Sequence, residues 1–353
     1  MKIASLPVSW FGITPLYDFN CDADDLCLDE AFHLKKYEAF MAKPFLMSND
    51  AFLRSSSAIV PDYVLWQEPT LNPQTVKSLL DYVELSGGHY LSPAAHEVIY
   101  STFFAPAILL FRVLRLFKAG RLRGGDTYVI LRIQDKSQEK WESVTSHRCT
   151  RMTIDPFIPM KHQGIFSLNS AELPIFNALR DCLRTILESA NKKQTSILAS
   201  LELAFDLYAR EEFEDIEIVN ALTALEALLL NDSKTELTYR LSMRVAHLLG
   251  ADAPSRRQLF EDMKDFYDVR SAVVHGSQIK PKHQTRMEQS DILREIVRKT
   301  LLTVLPLVAA GMARPQLDLL LDEVVLDENV RLSVQKTAAK FLLTGPPSPA
   351  TVQ

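Results

Sequence analysis

The sequence predicts a mainly α protein in which a C-terminal helical bundle follows an α+β N-terminal domain. Three observations carry that prediction. From about residue 169, apolar residues recur at helical spacing in one segment after another. The breaks between those segments are short, and short helix–helix connections make antiparallel neighbours. Upstream, helix-like stretches alternate with β-branched and aromatic runs, a mixed pattern. At 353 residues the chain is long enough for two domains. We place the boundaries at 1–165 for the N-terminal domain, 166–315 for the bundle and 316–353 for an acidic extension.

In chain order, Leu28 to Met41 is helix-like, and so is Pro73 to Leu85. In the latter Asn72 is a fitting N-cap and Pro73 stands at the first helical position. Ser92 to Lys118 predicts a helix broken at Pro106 and stopped at Gly120. Tyr63 to Trp66 predicts a strand, as does Thr127 to Ile133, which follows Gly124-Gly125-Asp126. Asn169-Ser170-Ala171-Glu172 resembles a capping box, with Glu172 reaching back, and Ile175, Leu179, Leu183 and Leu187 follow at helical spacing. Further helices are expected at about 195–210, 214–231, 234–249, 255–275 and 286–310. Residues 316–330 are acidic and leucine-rich. The end, Gly345-Pro346-Pro347-Ser348-Pro349, cannot continue a helix and is expected to be disordered.

Composition narrows the function classes. Hydrophobic residues at 47% and charged residues at 24% fit a globular chain, and a net charge of −5 gives no global attraction to nucleic acid. Any RNA contact must then come from a local patch. Cys21, Cys27, Cys149 and Cys182 lack CxxC spacing and are expected to be reduced, unligated thiols. The N-terminus has no sustained apolar core and no small-residue cleavage site. The longest apolar stretch, Phe103 to Leu110, is too short to span a bilayer, so a cytoplasmic protein without a membrane partner is expected. No GxGxxG or GxxxxGK[ST] segment occurs. His89, His96, His147 and His162 lack metal-ligand spacing, so neither a cofactor nor a metal is expected.

The richest stretch is Tyr267-Asp268-Val269-Arg270-Ser271-Ala272-Val273-Val274-His275-Gly276. It sets Arg270 five residues before His275 at the end of a helix-patterned run, with Gly276 as the stop. A guanidinium grips a phosphate through a planar fork, and an imidazole passes protons near neutrality. Together they suit phosphodiester cleavage. Two further segments stand upstream in order. They are Ala224-Leu225-Glu226-Ala227-Leu228-Leu229 and Glu236-Leu237-Thr238-Tyr239-Arg240-Leu241-Ser242-Met243-Arg244.

With these three motifs, residues from about 165 to 320 resemble the HEPN superfamily, and most closely its Apea-like branch, associated with prokaryotic defence against phage. The resemblance implies a HEPN-type helical bundle and a metal-independent endoribonuclease that works as a homodimer or higher oligomer. Its substrate would be RNA, cut to leave a 2′,3′-cyclic end. Arg270 would stabilise the scissile phosphate and His275 would handle the 2′-hydroxyl or leaving-group proton. Ser271 departs from the Asn, Asp or His that often follows the arginine in well-studied members, though it too can hydrogen-bond substrate. The N-terminal domain would sense a phage-derived trigger or, with a regulatory partner protein, restrain the nuclease. The alternative is a non-catalytic HEPN module that binds a partner protein or nucleotide.

Supporting positions follow from the residues themselves. Glu226 lies in an otherwise apolar helix and needs a cation, for which Arg240, Arg244 and Arg270 are the candidates. A structural ion pair is the plainer reading and an orienting role beside the site is the other. Tyr267 belongs to the same constellation. Arg240 and His247, seven apart on one helix face, are expected to be structural, while Arg244 is within reach of substrate phosphate. Arg112, Arg115, Lys118, Arg121 and Arg123 form a run without acidic residues. The first three are spaced for one helix face, which makes the run the best candidate patch for RNA phosphates.

Overall fold

The computed structural model describes residues 8–17, 19–38, 61–86, 93–119, 122–124, 127–135, 138–147, 166–188, 195–209, 214–230 and 236–344. The chain is mostly helical with an N-terminal sheet region, and it divides into two compact units. One comprises residues 1–115 and 120–173, the other residues 116–119 and 174–353. The expected Pro-rich end lies outside the described residues.

In the first unit, β1 (Val8–Tyr17) is central and pairs antiparallel with β5 (Tyr63–Gln67) and β7 (Thr127–Asp135). The sheet extends through β4 (Phe32–Lys36) to β3 (Asp25–Cys27) on one side and to β8 (Gln138–His147) on the other. A short β6 (Arg123–Gly124) also pairs with β1. Separately, β2 (Phe19–Cys21) and β9 (Phe166–Leu168) pair in parallel. The helices here are α1 (Pro73–Ser86), α2 (Pro93–Ile99) and α3 (Ala105–Phe117). Ile99, Phe103, Phe104, Leu79 and Leu80 pack with Trp10, Val129, Leu131 and Ile133 into one core.

Leu28 to Met41 does not form the expected helix, because Phe32–Lys36 is a strand. Phe32 and Leu34 are buried while His33 and Lys35 are not, a period of two that pairing with β5 exploits. The expected break at Pro106 takes another form. A π turn over Tyr100–Phe104 joins α2 to α3 without interruption. Proline has no N–H to give the Thr102 carbonyl four residues back, and Gln67 Nε2 donates to that carbonyl instead at 2.6 Å. Gly12 makes room for this contact, since a Cβ there would lie 2.9 Å from Gln67 Oε1 and 3.1 Å from the Phe103 ring. The joined helix makes His96–Phe117 long and apolar enough to cross a membrane by length and composition. Its apolar side chains at 99, 103, 104, 107, 110, 111, 113, 114 and 116 are buried in the protein.

The second unit is built from α4 (Leu173–Glu188), α5 (Thr195–Ala209), α6 (Glu214–Leu229), α7 (Leu237–Leu249) and α8 (Ala253–Val274). A short α9 (Pro281–Met287) precedes α10 (Ser290–Ala309). At Asn169 the expected reach of Glu172 forms, its Oε2 accepting from the Asn169 N–H at 3.0 Å. The Glu172 N–H, however, bonds the Asn169 backbone carbonyl, and a 3-10 turn over Ser170–Glu172 precedes α4. The helical unit does not end near 315. Residues 314–344 form α11 (Arg314–Leu326) and α12 (Glu328–Thr344), which pack on α7 and α10. One face of α11 is core, with Leu317, Leu321 and Val324 buried, while Leu319 and Leu326 are exposed.

Candidate active site at the end of helix α8

Helix α8 is delimited by its own sequence. Asp252 accepts from the Ser255 N–H at 2.8 Å, and Pro254 sits in the first turn, where its missing N–H costs nothing. At the far end His275 is the cap residue and Gly276 adopts φ +61°. Gly276 N–H bonds the Val273 carbonyl at 3.2 Å and Ser277 N–H bonds the Ala272 carbonyl at 2.8 Å. That pair of bonds is the Schellman arrangement, and it fixes where the histidine leaves the helix.

Arg270 and His275 are about 140° apart around the axis, because each residue turns the helix by about 100°. Arg270 faces α6. Its Nη1 donates to Glu226 Oε1 at 3.2 Å and its Nη2 to Glu226 Oε2 at 3.4 Å. Tyr267 hydroxyl donates to the same Oε1, and the guanidinium carbon lies 5.6 Å from the Tyr267 ring centroid. Of the three candidate cations for Glu226, the fold therefore selects Arg270. Both partners stay open to solvent, with 28% of the arginine side chain and 21% of the glutamate side chain exposed. Burial, then the hydrogen bond and charge of Glu226, push the Tyr267 hydroxyl well above its ordinary pKa. It stays a donor. His275 and Ser271 are exposed, and among the described residues the imidazole has no hydrogen-bond partner.

The other arginines separate. Arg244 is 4% exposed, donates to the Leu229 carbonyl and pairs with Asp322 Oδ1 at 2.5 Å. It ties α7 to α6 and α11 and is not placed to meet a substrate. Arg240 is half-buried on α7. His247 is half-buried as well, with burial and then the Arg256 and Arg331 charges lowering its pKa.

The basic run does not form a single stripe. Arg115 is 2% exposed and donates to the Leu122 carbonyl at 3.2 Å, because α3 is buried nearly all round at that turn. Arg112 is half-buried, and Lys118 is half-buried with its Nζ 5.9 Å from the Phe117 ring. Arg123 stands on β6 opposite Tyr17, and Arg121 lies outside the described residues.

Two further charge clusters in the helical unit escaped the sequence reading. Glu217, buried on α6, pairs with Arg294 of α10 at 2.9 Å, and Arg294 lies over the Tyr208 ring. Arg286 of α9 bridges Asp262 at 3.0 Å and Asp265 at 2.8 Å on α8. Glu217 follows Glu214 and Asp215 at the acidic start of α6, so nothing in the sequence marked it as the buried one. Among the described residues, no group of three or more His, Cys, Asp or Glu side chains is placed to hold a metal ion. Comparison with protein-family models, curated proteins and solved structures finds no match.

Proposed function

We propose that this chain is a metal-independent endoribonuclease of the HEPN type, acting in the cytoplasm as a homodimer in antiphage defence. The observation that supports this reading is the exposed end of α8. There an arginine with donors to spare and an unengaged imidazole stand within one and a half turns of each other. In one copy they point to different sides of the helix. Two copies of α8 packed about a two-fold axis bring two arginines and two histidines to one cleft. Arg270 then binds the scissile phosphate. One His275 takes the proton from the 2′-hydroxyl as its oxygen attacks phosphorus, and the other gives a proton to the departing 5′-oxygen. The product carries a 2′,3′-cyclic phosphate. In this reading the first unit answers a phage-derived trigger or a regulatory partner protein.

One observation favours a second reading. Arg270 already holds a carboxylate, which suits a non-catalytic module that binds a partner protein or nucleotide. One assay separates the two. Purified full-length protein is incubated with RNA in EDTA, and the 3′ ends of the products are analysed for a cyclic phosphate. Cleavage that persists in EDTA and vanishes in His275→Ala, with the variant's melting temperature unchanged, fits the nuclease. Absence of cleavage at any concentration removes it.

A further inference from the structure

We propose that Glu226 and Tyr267 are positioning residues for Arg270, and that the Glu226 carboxylate lowers RNA affinity while it holds the guanidinium in its working orientation. The inference rests on the nuclease reading above for what Arg270 does.

The geometry constrains the guanidinium on two sides. Glu226 takes one N–H from each Nη, end-on, at 3.2 and 3.4 Å. The Tyr267 ring backs its face at 5.6 Å. These N···O distances exceed the roughly 2.7–2.9 Å of a tight charge-assisted bond, so the fork is steadied without being sealed. A guanidinium has five N–H bonds, and Glu226 uses two of them. The Nε–H is buried and has no acceptor among the described residues. The second N–H of each Nη is what a phosphate would engage.

Tyr267 has a separate task. Its hydroxyl donates to Glu226 Oε1, the oxygen that also receives Arg270 Nη1, so it fixes the carboxylate that fixes the arginine. The raised pKa of the hydroxyl keeps that proton in place across the physiological range. An arginine side chain free to rotate would have to be ordered each time RNA arrives. Ordering it beforehand is the usual source of rate in phosphate chemistry that has little covalent work for the protein. The same carboxylate places a negative charge next to the group that must attract a phosphate, and this weakens binding.

These two effects push affinity and turnover in opposite directions, which loosening of the fold does not do. The test uses full-length protein and two single-stranded RNAs of one sequence, unmodified and fully 2′-O-methylated, the latter unable to be cut. Glu226→Gln keeps the shape and removes the charge. It should tighten binding of the methylated RNA by roughly 3–10-fold and lower kcat on the unmodified RNA by about 10-fold. Tyr267→Phe keeps the ring and the charge, so it should leave binding unchanged and lower kcat by several-fold.

A Glu226→Gln protein that binds more weakly, or that turns over at the parental rate, overturns the proposal. If that variant does not fold, an unchanged kcat in Tyr267→Phe overturns it alone. A wild-type chain that binds the methylated RNA but cuts nothing removes the nuclease reading. Tighter binding by Glu226→Gln would still support the electrostatic role of the carboxylate in that case. A wild-type chain that neither binds nor cuts RNA removes both.

Discussion

At the scale of single residues, Gly276 and His275 make opposite demands. Gly276 holds φ +61°, and a Cβ added there would meet nothing within 4 Å. Any cost of Gly276→Ala is therefore a backbone cost, about 1 kcal/mol for an L-residue in the left-handed region. A thermal melt should show a fall of roughly 1–4 °C, and an unchanged melting temperature would mean that the Schellman end is not formed in solution. His275 is exposed and makes no side-chain bond among the described residues, so His275→Ala should stay within about 0.5 kcal/mol of the parent. Arg270→Ala should cost more, because it leaves Glu226 with Tyr267 as its only remaining donor of the pair. Urea unfolding of the two variants side by side checks that order, and equal stabilities would contradict the ion pair.

At the scale of elements, the end of α7 and the start of α8 depend on specific side chains. Ser255 holds the Asp252 carboxyl below the usual carboxylate range through its side chain and its N–H. A depressed folded pKa means stability present above the unfolded value and lost as pH falls through the folded one. The penalty for Asp252→Ala should accordingly be full near neutrality and shrink below about pH 4, where the wild-type cap is itself being protonated. A penalty constant between pH 7 and pH 3 would rule the cap out. At the other junction, Arg331 of α12 is 1% exposed and donates to the Gly250 carbonyl at 2.8 Å, just past the end of α7. Gln335 Nε2 adds bonds to the Leu248 and Gly250 carbonyls, both at 3.1 Å. Arg331→Met keeps the bulk but removes the donors, and should cost about 1–3 kcal/mol in a urea titration. Arg331→Lys should not restore it, since one ammonium cannot match the fork that also grips Glu328.

At the scale of the whole molecule, the helical unit is longer than a bundle ending near 315. Val334, Ala338 and Phe341 of α12 are buried, and Arg314 of α11 donates to the Ala227 carbonyl at 2.8 Å. A chain truncated after Ala313 loses these together with the Arg331 cap. It should fail to give a cooperative melt, and limited proteolysis should open α7 and α10 first. A truncated protein as stable as the parent would show that α11 and α12 are an appendage. The proposed cleft adds a separate expectation. The protein should sediment as a dimer or larger at micromolar concentration, and a strict monomer with full ribonuclease activity would contradict a shared site.

What the sequence determined by itself is local. The apolar spacing from Leu173 onward, the Asp252 and Asn169 starts and the Gly276 stop mark helices whose ends hydrogen-bond to their own neighbours. Those signals need only a few adjacent residues, so α6, α8 and the position of His275 at a helix end were legible. Glu226 was legible as a carboxylate in want of a cation, but not which cation. Arg240, Arg244 and Arg270 carry the same charge, and only the packing of α6 against α8 brings one of them within 3.2 Å. Tertiary structure decided the rest in the same way. Phe32–Lys36 is a strand because β5 lies beside it. Arg115 turned inward because α3 is enclosed on nearly every side at that turn and its charge had to find the Leu122 carbonyl. Leu317 and Leu321 became core because α7 offered them a surface, while Leu319 and Leu326 of the same helix stayed exposed. Burial belongs to the assembled chain, and a pattern of residue types does not record which neighbour will supply it.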